Sequence, residues 1–219
     1  MPLELNALET RILGCLLEKE RLTPENYPLS LHSLTAACNQ STNRDPITAF
    51  DEKTVEEGVN GLREKKLAMV IFGAGSRVQK YRHRFPDHYE LDPEEIALVC
   101  VLLLRGPQTL GELRARTERF FTFASLDAVR ECLEDLAKEG TALVSLLPQQ
   151  PGQKEQRYIQ RLSIPSVFEQ PSNETSVIEA PSSGNLRVRV DALEKQVGEL
   201  QTELQRVREE LAAFRQQFV

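Results

Sequence analysis

Apolar residues recur along the chain in short helical stretches set off by turn-forming residues, and one order of such stretches occurs twice. Leu8, Ile12, Cys15 and Leu16 stand at helical spacing behind Asn6, with Glu9 three positions on as in a capping box. They predict a first helix ending near Glu20. Tyr27-Pro28 then makes a turn, and Ser30 caps a short second helix in which Leu31, Leu34 and Cys38 share a face. After a loop through Asn43-Arg44-Asp45-Pro46, Asp51 caps a third helix over residues 52–66, whose Val55, Val59 and Leu62 form one stripe. Residues 67–72 and 80–85 read as two strands around Gly73-Ala-Gly-Ser76, where glycine allows the positive φ of a hairpin turn.

Three short helices and a hairpin make a winged helix, and the same parts follow again. Asp92-Pro-Glu-Glu95 opens a helix with a cap, a first-turn proline and acids against the dipole, and Thr109-Leu-Gly-Glu112 is another capping box. Ser125 starts a third helix with Leu126, Val129, Leu133 and Leu136 inward, before strands over 142–147 and 157–162. An ungapped overlay of residues 51–70 on 125–144 pairs Val55 with Val129, Glu57 with Glu131, Leu62 with Leu136, Ala68 with Ala142 and Val70 with Val144. The fold class expected is therefore mainly α with small β-hairpin wings, an α+β chain of two tandem winged-helix domains over 1–90 and 91–163.

From 164 to 185 the chain turns to Pro, Ser, Glu, Asn and Gly, the composition of a disordered linker. Beyond it, over 186–219, Leu186, Val190, Leu193, Val197, Leu200, Leu204, Val207, Leu211, Phe214 and Phe218 alternate at spacings of four and three. This heptad seam predicts a coiled-coil helix. β-Branched Val190 and Val197 at a with leucine at d through the first half of the seam, and opposite charges between g and the partner's e at Arg189/Glu194, Glu203/Arg208 and Glu210/Arg215, point to a parallel homodimer. A tail folded back on the body is the competing reading.

A 40% apolar content can supply packed cores within 219 residues. The first ten residues have no basic head before an apolar run, so no signal peptide is expected and the protein is placed in the cytoplasm. The longest apolar run, residues 96–104, is far short of the ~20 residues needed to cross a bilayer. No membrane association is expected. Cys15, Cys38, Cys100 and Cys132 form no Cys-x-x-Cys pair and read as free thiols acting as small hydrophobes, so neither zinc nor a disulfide is expected. The net charge of −6 is spread evenly, with 12 basic against 13 acidic residues in 1–90 and 9 against 11 in 91–163. A nucleic-acid surface would thus have to be local.

Tyr27-Pro-Leu-Ser-Leu31, Ala37-Cys-Asn-Gln40 and Asn43-Arg-Asp-Pro46 resemble the YceH-like family of bacterial proteins, over roughly residues 3–163. The resemblance implies the tandem winged-helix architecture. It implies no reaction, cofactor or ligand.

Candidate sites are few. His32, His83 and His88 have no nucleophile motif beside them, and neither a P-loop nor a Gly-x-Gly-x-x-Gly string is present, so no enzyme and no cofactor are expected. Asn43, Arg44 and Asp45 form a loop polar enough to bind a ligand or phosphate, although the same residues suit a structural loop whose side chains bond backbone amides. The first wing carries Arg77, Lys80, Arg82 and Arg84, which with Arg44 are the candidate nucleic-acid contacts. Strand alternation puts Lys80, Arg82 and Arg84 on one face and Tyr81, His83 and Phe85 on the other, so a solvated, aggregation-resistant edge explains them equally well. The third helices argue against groove reading, because Glu52, Glu56, Glu57 and Glu64 in one and Asp127, Glu131, Glu134 and Asp135 in the other would meet phosphates with like charge. Two classes stay open: a dimer contacting DNA through the first wing, in a regulatory or chromosome-associated role, and an adaptor that binds an unidentified protein partner.

Overall fold

The computed structural model describes residues 4–72, 78–138, 142–149 and 152–163, all within one compact unit, Met1–Glu169. The heptad residues Val190, Leu193, Val197, Leu200, Leu204, Val207 and Leu211, and the linker before them, lie outside the described residues. The described part is a mixed α+β structure of six α-helices and two small antiparallel sheets.

Helix α1 (Ala7–Leu22) begins at a reciprocal capping box: Asn6 Oδ1 accepts from the Glu9 amide at 2.9 Å, and Glu9 Oε2 accepts from the Asn6 amide at 2.8 Å. From Glu9 to Glu18 every residue is buried, the condition of a helix packed on all sides. Its neighbours are α2 (Leu31–Cys38), α3 (Glu52–Glu64) and α4 (Pro93–Arg105). Approach to α4 is close at Gly14, where an added Cβ would lie 2.8 Å from Leu104. One continuous apolar core therefore runs from Leu5 and Ile12 through Leu98 and Leu102 to Leu133 and Leu162.

Strands β1 (Leu29–Ser30), β2 (Ala68–Phe72) and β3 (Gln79–His83) form a sheet in the order β1-β3-β2. Tyr81 stands opposite both Leu29 and Val70. After α4 come α5 (Leu110–Thr117), α6 (Leu126–Ala137) and a hairpin of β4 (Val144–Leu146) and β5 (Tyr158–Gln160). Ser30, Asp51, Thr109 and Ser125 cap their helices as the sequence predicts, because each accepts from the amide three residues on.

Two backbone hydrogen bonds recur at the base of the hairpin in each half. In the first, the Leu67 amide donates to Leu62 O and the Arg84 amide to Leu67 O; in the second, Leu143 donates to Leu136 O and Arg161 to Leu143 O. Leu62 and Leu136 are both fully buried, as equivalent positions should be. The bridge between Gln108 and Tyr158 is what remains of β1 in the second half, matching Leu29 opposite Tyr81. These bonds correct the ungapped overlay beyond the helices: five positions separate Leu62 from Leu67 and seven separate Leu136 from Leu143, so two extra residues intervene. Leu67, not Ala68, begins the match on the first strand, and its equivalent is Leu143. Ala142 instead takes a left-handed turn position at φ 42°.

Candidate nucleic-acid interface

The first hairpin is held from behind by contacts with α1 and Tyr27. Along β3 and just past it, Tyr81, His83 and Phe85 are buried while Arg82 and Arg84 are exposed, the alternation that a period of two requires. His83 Nε2 lies 2.8 Å from Glu20 Oε2 on α1, and its amide donates to Tyr27 Oη at 2.8 Å. The hydrogen bond with His83 and the charge of nearby Arg82 hold the Glu20 carboxyl below its usual pKa, against the upward push of burial. Tyr27 is pushed well above its ordinary range by burial.

Of the four wing cations, Arg77 lies outside the described residues. Arg84 is engaged by Asp87, Nε to Oδ2 at 2.6 Å. Lys80 and Arg82 make no ion pair among the described residues, and they remain the cations that this face can offer. Opposite them across the ladder stand Ile71 and Met69. Apolar exposure on this face increases toward the turn, from Met69 at 38% to Val78, of the same parity as Lys80, at 56%, while Phe72, paired with Gln79, lies on the other face. The outward face is thus cationic and apolar together. Strand pairing of Met69 with Arg82 carries this signal, and it requires the register, which the sequence pattern alone leaves open.

Arg44, the remaining candidate contact, is corrected by its position. Its side chain is fully buried, donates to Glu18 through both terminal nitrogens, and gives further bonds to Ala37 O at 3.1 Å and Gln40 Oε1 at 3.0 Å. A guanidinium spent in this way is inaccessible to phosphate. Asn43 accepts from Arg105 Nη2 at 2.6 Å, and the Asp45 amide donates to Leu104 O at 3.0 Å, so the loop ties the end of α4 to the first half. The Asp45 side chain remains exposed.

Glu18 is the residue that sequence reasoning missed. It is fully buried and receives Arg44, Lys19 and, from the second half, Arg119. Burial alone would raise its pKa, but the Arg44 hydrogen bond and the charges of Arg44, Arg119 and Lys19 outweigh that and leave it lowered. Glu9, likewise buried, is paired with Lys65 at 2.5 Å. Helical periodicity assigns such carboxylates to solvent. The available signal was a helix whose apolar residues occupy every face.

Acidic third helices are found where expected. Glu52, Glu56, Glu57 and Glu64 on α3 and Asp127, Glu131, Glu134 and Asp135 on α6 are exposed. Cys15, Cys38 and Cys100 are buried and Cys132 half-buried, all four free. Among the described residues no helix is long and apolar enough to cross a membrane.

A helix-rich α+β chain with an internal repeat and a cationic, apolar hairpin is the class these observations define. The chain belongs to the bacterial family described as protein of unknown function DUF480, whose model matches residues 5–153. It is 45% identical over 203 residues to a UPF0502 protein of Geotalea daltonii, covering 93% of this chain and 89% of that one. A UPF0502 protein of Solibacter usitatus is 46% identical over 95% of this chain and 98% of its own, and one of Shewanella oneidensis 40% identical over 93% and 97%. These relatives carry no enzymatic name.

Proposed function

We propose that this chain is a cytoplasmic, non-enzymatic tandem winged-helix protein, paired through its C-terminal heptads, whose first hairpin contacts duplex nucleic acid. The observation that carries the reading is the outward strip of that hairpin: Lys80 and Arg82 free of ion pairs among the described residues, with Met69 opposite Arg82 and exposed Val78 toward its tip. Cations of this kind meet phosphates, and an apolar tip suits insertion beside bases in a minor groove. The seam from Val190 to Leu211 supports pairing, since it keeps its heptad spacing throughout.

A second reading, an adaptor for another protein, is favoured by the exposed carboxylates of α3 and α6 and by the apolar share of the same strip. One titration separates the two. Full-length protein is titrated against labelled duplex DNA at several salt concentrations, as the parent chain and with Lys80→Gln and Arg82→Gln together. Each lost phosphate contact is expected to reduce the slope of log affinity against log salt by about 0.9. Equal binding by both versions, or none at low salt, transfers the function to the adaptor.

A further inference from the structure

Among the described residues five carboxylate, guanidinium or imidazole side chains are buried: Glu9, Arg11, Glu18, Arg44 and His83. Four have an opposite partner, Lys65 for Glu9, Arg44 and Arg119 for Glu18, and Glu20 for His83. Arg11 has none. It is 5% exposed and gives Nη2 to Pro46 O at 2.5 Å and Nη1 to Cys38 O at a long 3.5 Å, both neutral acceptors. A guanidinium has five N–H donors and cannot shed its proton, so three donors have no described partner, and the charge has no ion pair among the described residues, only the nearby exposed Asp45 carboxylate to offset it. Leaving a buried charge uncompensated is strongly unfavourable, which makes the position of Arg11 informative.

That position is the wall of a cavity of about 120 Å³. Leu102 and Leu103 give it an apolar side, Gly106 and Gln160 close it from the second half, and Asp45 and Pro46 border it from the loop. Ala7, in the first turn of α1, lines it as well, so the positive end of the helix dipole adds to the field of Arg11. Burial pushes the Arg11 pKa down, and the neighbouring Cys15, Cys38 and Asp45 offset this only in part.

We propose that this cavity binds a small carboxylate of about four to six non-hydrogen atoms, with the carboxylate on Arg11 and a short apolar body against Leu102 and Leu103, since a dry cavity of ~150 Å³ holds benzene. The exposed carboxylate of Asp45 works against a second negative charge on the ligand and accepts an ammonium group, so monocarboxylates and small zwitterions share the chemistry and dicarboxylates do not. Such a ligand touches α1 and the 43–46 loop on one side and α4 and β5 on the other. It would therefore bind where the two halves meet, as an effector would.

The test uses full-length protein, thermal unfolding and amide NMR spectra, with sodium propionate, alanine, propan-1-ol and propylamine hydrochloride at matched ionic strength. Propionate is expected to bind with a Kd on the order of millimolar, as suits so few atoms, and to move the amide signals of Arg11, Gly106 and Gln160. Alanine binding as well or better brings the Asp45 carboxylate into the site, and alanine failing beside a working propionate restricts the ligand to monocarboxylates. Propan-1-ol and propylamine should leave those signals unmoved. Arg11→Met is expected to weaken propionate at least about tenfold through the lost charge-assisted bonds. Because that change also removes the bond to Pro46 O, Ala7→Leu serves as the second variant, filling the cavity from an exposed position with Arg11 intact. Propionate binding that survives Ala7→Leu, an alcohol that binds as well as the carboxylate, or no response to any carboxylate would overturn the proposal.

Discussion

The two halves of the described chain share their hydrogen-bond scheme but not the helix that opens each. Helix α4 is buried from Ala97 to Leu104 without a polar side chain, whereas the buried stretch of α1 holds Glu9, Thr10, Arg11 and Glu18. The difference follows from what each helix must hold. Thirteen residues, 39–51, join α2 to α3, against eight, 118–125, between α5 and α6. A longer connection buries less apolar surface per residue and needs polar anchors, which α1 supplies: Arg11 to Pro46 O, and Glu18 to Arg44. Glu18 also takes Arg119 at the start of the shorter connection, so one carboxylate fastens both. Apolar packing is enough to repeat a fold, and placing an irregular loop takes buried polar groups with assigned partners.

The largest effect should come from breaking that asymmetry at its centre. Glu18→Gln leaves Arg44 buried without a counter-charge, and losses of about 3–5 kcal/mol accompany such changes. Chemical denaturation at neutral pH measures it. Since the folded pKa of Glu18 is lowered, its contribution is complete above the unfolded value, about 4.3, and is lost as pH falls through the lower folded value. The gap between parent and variant should therefore be wide at neutral pH and close in acid. A gap independent of pH would mean that shape, and not charge, is what the site requires.

Next in size are the leucines that the two halves share. Leu62→Ala and Leu136→Ala should each cost about 2–5 kcal/mol, because both side chains are fully buried and the residue just before the following strand donates its amide to their own carbonyl. Similar losses read from paired denaturation curves would support the equivalence. A loss under 1 kcal/mol at one of them would show that its half packs around a different residue.

These comparisons also mark what the sequence made legible. Helix starts were readable because a cap is a local device: Asn6 with Glu9 and Thr109 with Glu112 declare themselves within four residues. Wing alternation was readable for the same reason. The partners of Glu18 stand 26 and 101 residues further along the chain, and no periodicity reports contacts at that range. Nor could an overlay without gaps find the two residues inserted before Leu143, since Ala68 and Ala142 happen to agree. The candidate nucleic-acid contacts divide along the same line, with the alternating face of Lys80 and Arg82 foreseen and the burial of Arg44 hidden.

Smaller effects should distinguish the caps of α2 and α5. Ser30 accepts from the Ser33 amide at 3.2 Å and receives no carboxylate in return, while Thr109 and Glu112 bond reciprocally and Glu112 also holds Arg157 at 2.8 Å. Thr109→Ala and Ser30→Ala should each cost about 0.5–2 kcal/mol, the former more. Thermal unfolding of the two variants side by side ranks them, and a larger loss at Ser30 would reverse the argument from reciprocity.

The smallest expected effect is a gain. Gly111 occupies the second position of α5, where its counterpart in α2, two residues after the cap, is His32. An added Cβ at Gly111 meets nothing within 4 Å, and the backbone there is ordinary helix with no positive φ. Alanine at this position therefore introduces no contact and no strain, and it acts mainly on the unfolded chain by narrowing the conformations available to it. Gly111→Ala should raise stability by a few tenths of a kcal/mol up to about 1, toward the low end because the first turn carries fewer hydrogen bonds than a helix centre. The glycines of α3 offer no such space: a Cβ at Gly58 would lie 2.6 Å from Ile12, and one at Gly61 would meet the Glu9 carboxylate. Two-state denaturation with parent and Gly111→Ala at matched concentration resolves a gain of this size when the slopes agree. A loss there would mean that the folded state disfavours a Cβ at this position despite the open space beside it.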